Sequence, residues 1–305
     1  MKQKTFDEEM KELFGGKVYR LSLSSGCTCP NRDGTAGTGG CIFCSAGGSG
    51  EFASRADISV SAQLEEAKKR VAGKLSRSFA GYMAYFQSFS GTYGPVERLE
   101  KLFAECLDHE EILALSVATR PDCLPPETVA MLARLNRRKP VWVELGLQTV
   151  HEDTAMLINR GYRLPVFEDA VRRLKAAGLR VVVHVIVGLP GEDAERTAET
   201  VRYLSRLTGA ADGKPVCLID GIKLQILQVL KGTRLAEMKK QDSRILPEYS
   251  PESYAALLKE LLDILPASVT VHRLTGDPPK SLLISPAWTA DKKRVLNTIR
   301  KTLQE

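Results

Sequence analysis

The chain has 305 residues, with 43 Lys plus Arg against 37 Asp plus Glu, a formal net charge of +6 and a sequence pI near 8.9. Hydrophobic residues make up 43% and charged residues 26%, which excludes wholesale disorder and a disulfide miniprotein and fits one α/β barrel or two domains of roughly 150 residues. The mildly basic balance permits a polyanionic partner without demanding one.

No apolar run approaches the roughly 18 residues of a membrane span. Met1 to Phe14 is charged and lacks the apolar segment of a signal peptide. A cytoplasmic protein without membrane association is expected. Seven cysteines are present, four of them between Cys27 and Cys44. In a reducing compartment such a cluster reads as a metal site and not as a disulfide framework.

Lys17 to Leu23 alternates apolar and polar residues and predicts a first strand. A polar helix is expected over Asp57 to Leu75, and a strand over the aromatic-rich run Tyr82 to Phe89. Pro95 to Leu107 predicts a helix with Pro95 in its first turn. Ile112 to Ala118 is the next strand, Pro126 to Asn136 a helix, Val141 to Leu147 a strand, and Asp153 to Ile158 a short helix. Phe167, Ala170, Val171 and Leu174 sit at helical spacing, and Gly178 ends that helix. The β-branched run Arg180 to Val187 predicts a strand covered on both faces. Glu192 to Leu207 is helical, Gly221 to Leu227 a sixth strand, and Ser250 an N-cap followed by Pro251. The remainder from Val269 carries a short strand-like run, a Pro/Gly loop and a basic terminal helix. Strands alternating with helices imply parallel βα units. Six units favour a partial barrel over residues 17–266, with extensions over 1–16 and 267–305. A doubly wound sheet is the alternative.

The cysteines lie in the loop 26–50, after the first strand, at the C-terminal end of the sheet where α/β folds place their chemistry. Its cysteines are Cys27, Cys29, Cys41 and Cys44. Four thiolates around one structural zinc would close a tetrahedral site. Three thiolates on a [4Fe–4S] cluster would leave one iron open for a cofactor. Spacing alone leaves both open.

The run Cys29-Pro-Asn-Arg-Asp-Gly with Gly-Gly-Cys41-Ile-Phe-Cys44 resembles the cluster loop of the YtqA/YhcC-type radical SAM proteins. Like that family, the chain has eleven residues between the first two cluster cysteines and two between the last pair. The resemblance continues through Tyr82-Met-Ala-Tyr-Phe-Gln87, Ala118-Thr-Arg-Pro-Asp-Cys123, Glu144 to His151, Ile158-Asn-Arg160, Val187-Gly-Leu-Pro-Gly-Glu192, Leu230-Lys-Gly-Thr233 and Val271-His-Arg273. Cys44-Ser-Ala-Gly-Gly-Ser-Gly and His272-Arg-Leu-Thr-Gly-Asp277 bring it closer to the YtqA branch. The resemblance implies a radical SAM partial (β/α)6 TIM-like barrel, a [4Fe–4S] cluster on Cys29, Cys41 and Cys44, and S-adenosylmethionine as cofactor. Cys27 is then a bystander. It further implies a tRNA partner, conversion of a wobble 5-carboxymethylaminomethyluridine to 5-aminomethyluridine, and an electron donor such as flavodoxin or ferredoxin. The family is also similar to the radical domain of the Elongator catalytic subunit.

Within that reading, Gln87 stands where many superfamily members carry Gly-Gly-Glu, and Arg120 suits the methionine carboxylate because guanidinium binds carboxylate bidentately. Arg120 could instead form an ion pair with Asp122. Glu144 and Gln148 are candidates for the ribose, and Gly188 and Gly191 for adenine. Lys223 and Gln225 share a strand face, Lys223 as a candidate catalytic group and Gln225 as a cofactor contact. A structural Lys223–Glu144 pair is the alternative. His184, His272 and Arg273 are candidate substrate contacts, with a core role open for His184. Cys123 is a candidate hydrogen-atom donor or a small buried thiol, and Cys106 and Cys217 read as structural. Basic runs at Arg134–Lys139, Arg172–Lys175 and Asp291–Arg294 are solvated faces unless the fold collects them.

Overall fold

The computed structural model describes every residue except Ser49, Asp212 and Glu305. Ser49 of the Cys44–Gly50 run and Glu305 of the expected terminal helix thus lie outside the described residues. In chain order the first elements are α1 (Phe6–Phe14), β1 (Lys17–Leu23), α2 (Val60–Val71), β2 (Phe79–Phe86), α3 (Val96–Asp108), β3 (Ile112–Thr119), α4 (Pro126–Asn136) and β4 (Val141–Gln148). Then follow α5 (Glu152–Leu157), α6 (Leu164–Ala176), β5 (Arg180–Val187), α7 (Ala194–Arg206), β6 (Thr208–Ala211), β7 (Lys214–Cys217) and β8 (Gly221–Ile226). The last are β9 (Val229–Leu230), α8 (Arg234–Gln241), α9 (Pro251–Ile264), β10 (Thr270–Arg273), β11 (Leu283–Ser285) and α10 (Lys292–Gln304).

Among the described residues, one seven-stranded sheet runs β1–β2–β3–β4–β5–β8–β10, with every neighbouring pair parallel. The strand order never reverses. A doubly wound sheet would reverse at its switch point, so the curled TIM-like partial barrel is the architecture. Six of the strands match the six expected from alternation, and the run after Val269 adds a seventh, β10, beside β8. The second strand ends at Phe86 and not at Phe89, because Phe89 turns out of the sheet with φ 53°. Side-chain caps start α2 at Ser59 and α7 at Asp193, trimming the broader helices expected there. Ser250 caps α9 with Pro251 in its first turn, as expected.

The outer face of the sheet packs against the crossover helices in a large apolar core that includes Phe86, Phe103, Phe167, Leu204, Leu224 and Leu258. The inner face divides in two. Its lower part is apolar: Val18, Met83, Ala114, Trp142 and Val182 close around Phe6 and Met10 of α1. Helix α1 starts with a capping box, Thr5 with Glu8, and ends at Gly15 in the left-handed region. Ahead of it, the Val271 backbone N–H donates to the Lys4 carbonyl at 2.7 Å. The amino-terminal segment therefore ties β10 to β1 and plugs the barrel floor. Fully burying a side chain such as Met10 stabilises the fold by about 1.5–3 kcal/mol.

Candidate active site at the barrel mouth

The upper part of the inner face is polar, and the cysteine loop overhangs it. Three devices fix that loop. Ile42 is buried in a small apolar cluster with Ile158, Leu189, Leu227 and Leu235. Backbone bonds join Ile42 N–H to the Ile158 carbonyl (3.0 Å) and Leu235 N–H to the Ile42 carbonyl (2.9 Å). Asn31 donates to the Asn159 carbonyl (2.5 Å), and Asn159 donates to the carbonyls of Gly40 (2.8 Å) and Thr38 (3.2 Å). Asn31 is fully buried between Gly37 and Gly161, where an added Cβ would stand 2.3 and 2.8 Å from its side-chain oxygen. Arg32 stacks near Phe89 and donates to the carbonyls of Cys44 (3.1 Å) and Ser45 (2.6 Å).

Cys29, Cys41 and Cys44 all line one cavity of about 200 Å³ between this loop and the strand ends. Cys27 does not. Its sulfur accepts from Arg98 at 3.1 Å and is buried behind β1. Burial pushes the Cys41 thiol up to about 12, and a neighbouring Cys44 charge adds to this. A metal must offset that cost for the thiolate to persist. Three sulfurs at the rim of a cavity suit a cluster with one open position better than a closed four-thiolate zinc site, because Cys27 points elsewhere.

The same cavity gathers Gln87, Arg120, Glu144, Gln148, His184, Gln225 and Arg273 from six neighbouring strand ends. Arg120 does form the ion pair with Asp122, at 2.9 and 2.6 Å, and also donates to the Arg160 carbonyl at 2.6 Å. It lines the cavity all the same, stacked 5.1 Å from the Tyr162 ring centre. Gln148, with φ 65°, lines the cavity, and among the described residues its buried side-chain oxygen has no hydrogen-bond partner.

Glu144 is the hub of the layer below. One carboxylate oxygen accepts from Ser116 at 2.8 Å, and the other is shared by Lys223 and by His184 Nε2 at 2.7 Å. Burial alone would raise the Glu144 carboxyl, but Lys223, His184 and Arg20 hold it well below its usual value. Lys223 also donates to the Tyr85 hydroxyl at 3.1 Å and lies 4.5 Å from the centre of that ring. Burial lowers its pKa to about 7 against the pull of Glu144. Burial, then Lys223, brings His184 down to about 4, so its imidazole is neutral near pH 7. The structural Lys223–Glu144 pair is thus present, and Lys223 is beneath the cavity lining.

Four candidates stand elsewhere. His272 is below, beside α1: its Nδ1 is 2.9 Å from Arg20 and its Nε2 3.4 Å from Glu9. Cys123 lines a separate hollow near Thr92 and Pro95, with burial pushing its thiol up to about 12. Gly188 and Gly191 have φ of 83° and 75°, and Gly188 lines a pocket with Tyr249 and Trp288. Carboxylates engage residues of all three basic runs. Arg134 pairs with Glu100, Arg138 with Asp108, Arg173 with Asp169, Lys175 with Asp220, Lys292 with Asp277 and Arg294 with Glu252.

Several site residues had no role assigned from sequence. Tyr85, Tyr162 and Arg160 line the cavity, and Arg160 donates to the carbonyls of Leu147 (3.1 Å), Thr149 (2.7 Å) and Tyr162 (3.0 Å). Their signal was weak. Tyr85 follows the inward alternation of β2, whereas Arg160 and Tyr162 sit in an irregular turn that has no period to read.

Comparison with known proteins gives the family. Residues 28–204 match the model of the radical SAM superfamily, and residues 219–305 match a Radical_SAM C-terminal domain. The chain belongs to the radical SAM superfamily, whose cofactors are a [4Fe–4S] cluster and S-adenosylmethionine. Within it, the chain belongs with the family of YtqA and YhcC. It is 41% identical to the uncharacterized protein YtqA of Bacillus subtilis, over 98% of this chain and 89% of that one. It is 33% identical to protein YhcC of Escherichia coli, over 94% and 87%. Elongator complex protein 3 of Homo sapiens is 29% identical over 63% of this chain and 32% of its own length. Among solved structures, the archaeal Methanocaldococcus infernus Elp3 shares the fold, with a TM-score of 0.66 at 18% identity, covering 93% of this chain and 63% of that one. Among the described residues, no helix is long and apolar enough to cross a membrane.

Proposed function

We propose that this radical SAM enzyme modifies the wobble uridine of tRNA, converting 5-carboxymethylaminomethyluridine to 5-aminomethyluridine, with Cys29, Cys41 and Cys44 holding the cluster. The observation that carries the chemistry is the meeting of those three thiols with Arg120, Glu144, Gln148 and Arg273 around one cavity at the barrel mouth. When bound, the cluster and S-adenosylmethionine supply a carbon-centred radical that removes a hydrogen atom from the substrate.

The chain's own residues bind, orient and shield. Arg120, next to the cysteines, suits the carboxylate of S-adenosylmethionine. Gln148, which lines the same cavity, suits a ribose hydroxyl. Glu144, locked by Lys223, His184 and Ser116, keeps the cavity floor rigid. The tRNA part of the reading rests on the YtqA-branch motifs and on charge. Arg163, Lys231 and Arg234 are exposed around the mouth, and none has a carboxylate within ion-pair distance among the described residues, which suits RNA phosphates. A reduced flavodoxin or ferredoxin in the cytoplasm is the electron donor in this reading.

A nucleoside profile of tRNA from cells with and without the gene tests it. Loss of the gene should accumulate 5-carboxymethylaminomethyluridine and deplete the aminomethyl forms. An unchanged profile, in a strain with no second route to the aminomethyl forms, rejects the tRNA assignment and leaves the superfamily membership untouched.

A further inference from the structure

The cavity floor carries a cation that the protein does not neutralise. Arg273, at the end of β10, is half-buried and lines the cavity. Among the described residues its guanidinium has no carboxylate within ion-pair distance, and its hydrogen-bond partner is the Gln225 side-chain oxygen at 3.4 Å. The carboxylates that could serve it are engaged. Glu144 is held by Lys223 and His184, Glu51 accepts from Ser45, and Asp277 pairs with Lys292. The layer beneath holds two further basic groups near it, Lys223 and Arg20, and its carboxylates Glu144 and Glu9 already serve those groups and the histidines. A partly desolvated guanidinium left with one neutral acceptor is costly unless a ligand anion completes it.

Two anions could arrive: the carboxylate of S-adenosylmethionine and a carboxylate on the substrate. The first must reach the cysteines, where Arg120 stands on β3. Arg273 is on the opposite wall, with β4, β5 and β8 between the two strands in the sheet. We infer that Arg273 is a specificity residue whose guanidinium binds the carboxylate of the substrate, so that the enzyme selects uridines carrying a carboxymethyl group and releases products that lack it. This rests on the reading proposed above and names the group by which the substrate is recognised. Bidentate guanidinium–carboxylate pairing supplies the geometry, and the 5-aminomethyl product has no carboxylate for it to hold.

The test uses the reconstituted holoenzyme with S-adenosylmethionine and measures binding of 5-carboxymethylaminomethyluridine, 5-aminomethyluridine and N-methylglycine. Wild type should prefer the carboxylated nucleoside by about tenfold or more. Arg273→Gln should erase that preference, Arg273→Lys should keep part of it, and both should bind S-adenosylmethionine like wild type and retain the wild-type circular dichroism. Discrimination that survives Arg273→Gln overturns the inference. So does a selective loss of S-adenosylmethionine binding, which would give the guanidinium to the cofactor. If N-methylglycine binds in an Arg273-dependent way while neither nucleoside binds, the carboxylate site stands and the wobble-uridine reading fails. No Arg273-dependent binding of any of the three overturns the inference.

Discussion

The two halves of the barrel interior are built by the same strands and do opposite work. On β2, Met83 faces the floor and Tyr85 the cavity; on β4, Trp142 faces the floor and Glu144 the cavity. One step of two residues along a strand moves a side chain up one layer on the same face. Below, α1 fills the space with Phe6 and Met10. Above, a cavity remains, lined by polar groups beside Phe43 and Phe89, and Glu144, Lys223 and His184 hold one another in place. The lower half supplies stability through packing. The upper half keeps desolvated polar groups that would destabilise the fold if any partner were lost.

The largest expected contrast lies among the cysteines. Alanine at Cys29, Cys41 or Cys44 should abolish iron binding and S-adenosylmethionine cleavage. Cys27→Ala should retain both, because its sulfur faces Arg98. Iron content and visible absorption after anaerobic reconstitution read the difference. A Cys27 variant as empty as the others would return the loop to a four-thiolate site.

Next is the polar hub. Glu144→Ala strands a buried Lys223 and should cost about 3–5 kcal/mol in urea unfolding. Adding Lys223→Met should recover much of that loss, which isolates charge burial from packing. In the lower half, Met10→Ala should cost about 2–5 kcal/mol yet leave iron content and S-adenosylmethionine affinity unchanged. If it empties the cluster, the two halves are not independent.

A pH series sharpens the contrast further. His184 is lowered from 6.5 to about 4 in the folded protein. The unfolded chain therefore binds more protons between those values, and stability contributed by neutral His184 is present above pH 6.5 and lost as pH falls toward 4. The contribution is at most about 3 kcal/mol. His184→Gln should flatten that part of the stability–pH curve, whereas Met10→Ala should shift the curve without changing its slope. The smallest effect is expected at Asn159, whose side chain donates to the Gly40 and Thr38 carbonyls and whose φ is 55°. Asn159→Gly keeps that backbone available and should cost about 1–2 kcal/mol, read as faster iron release to a chelator.

The lower half and the sheet were largely legible in the sequence, because burial leaves a periodic record. Arg180–Val187 and Val141–Leu147 read as strands from their apolar runs alone. Helix α1 escaped, although Thr5 and Glu8 form its capping box, because its charged surface hid the two residues that enter the floor. The seventh strand, four residues long, was legible only as a short strand-like run after Val269, and its place beside β8 was not. At the site, the cysteine loop announced itself by residue type. The Lys223–Glu144 pair was one of two readings, since inward alternation gives a face but not a partner. His272 shares the strand end with Arg273, yet the two lie at different depths: His272 packs beside Phe6 and Arg273 lines the cavity. That division depends on how far β10 slides past β8, where the register shifts between Val271 and Arg273, and no local pattern encodes it.

The central claim is that the upper cavity performs radical chemistry on a modified wobble uridine. Its most direct test combines the reconstituted enzyme, S-adenosylmethionine and a chemical reductant with tRNA carrying 5-carboxymethylaminomethyluridine, followed by mass spectrometry of the nucleosides. The expected products are 5-aminomethyluridine and 5′-deoxyadenosine, with neither formed by Cys41→Ala. Formation of 5′-deoxyadenosine with the wobble nucleoside unchanged would contradict the claim.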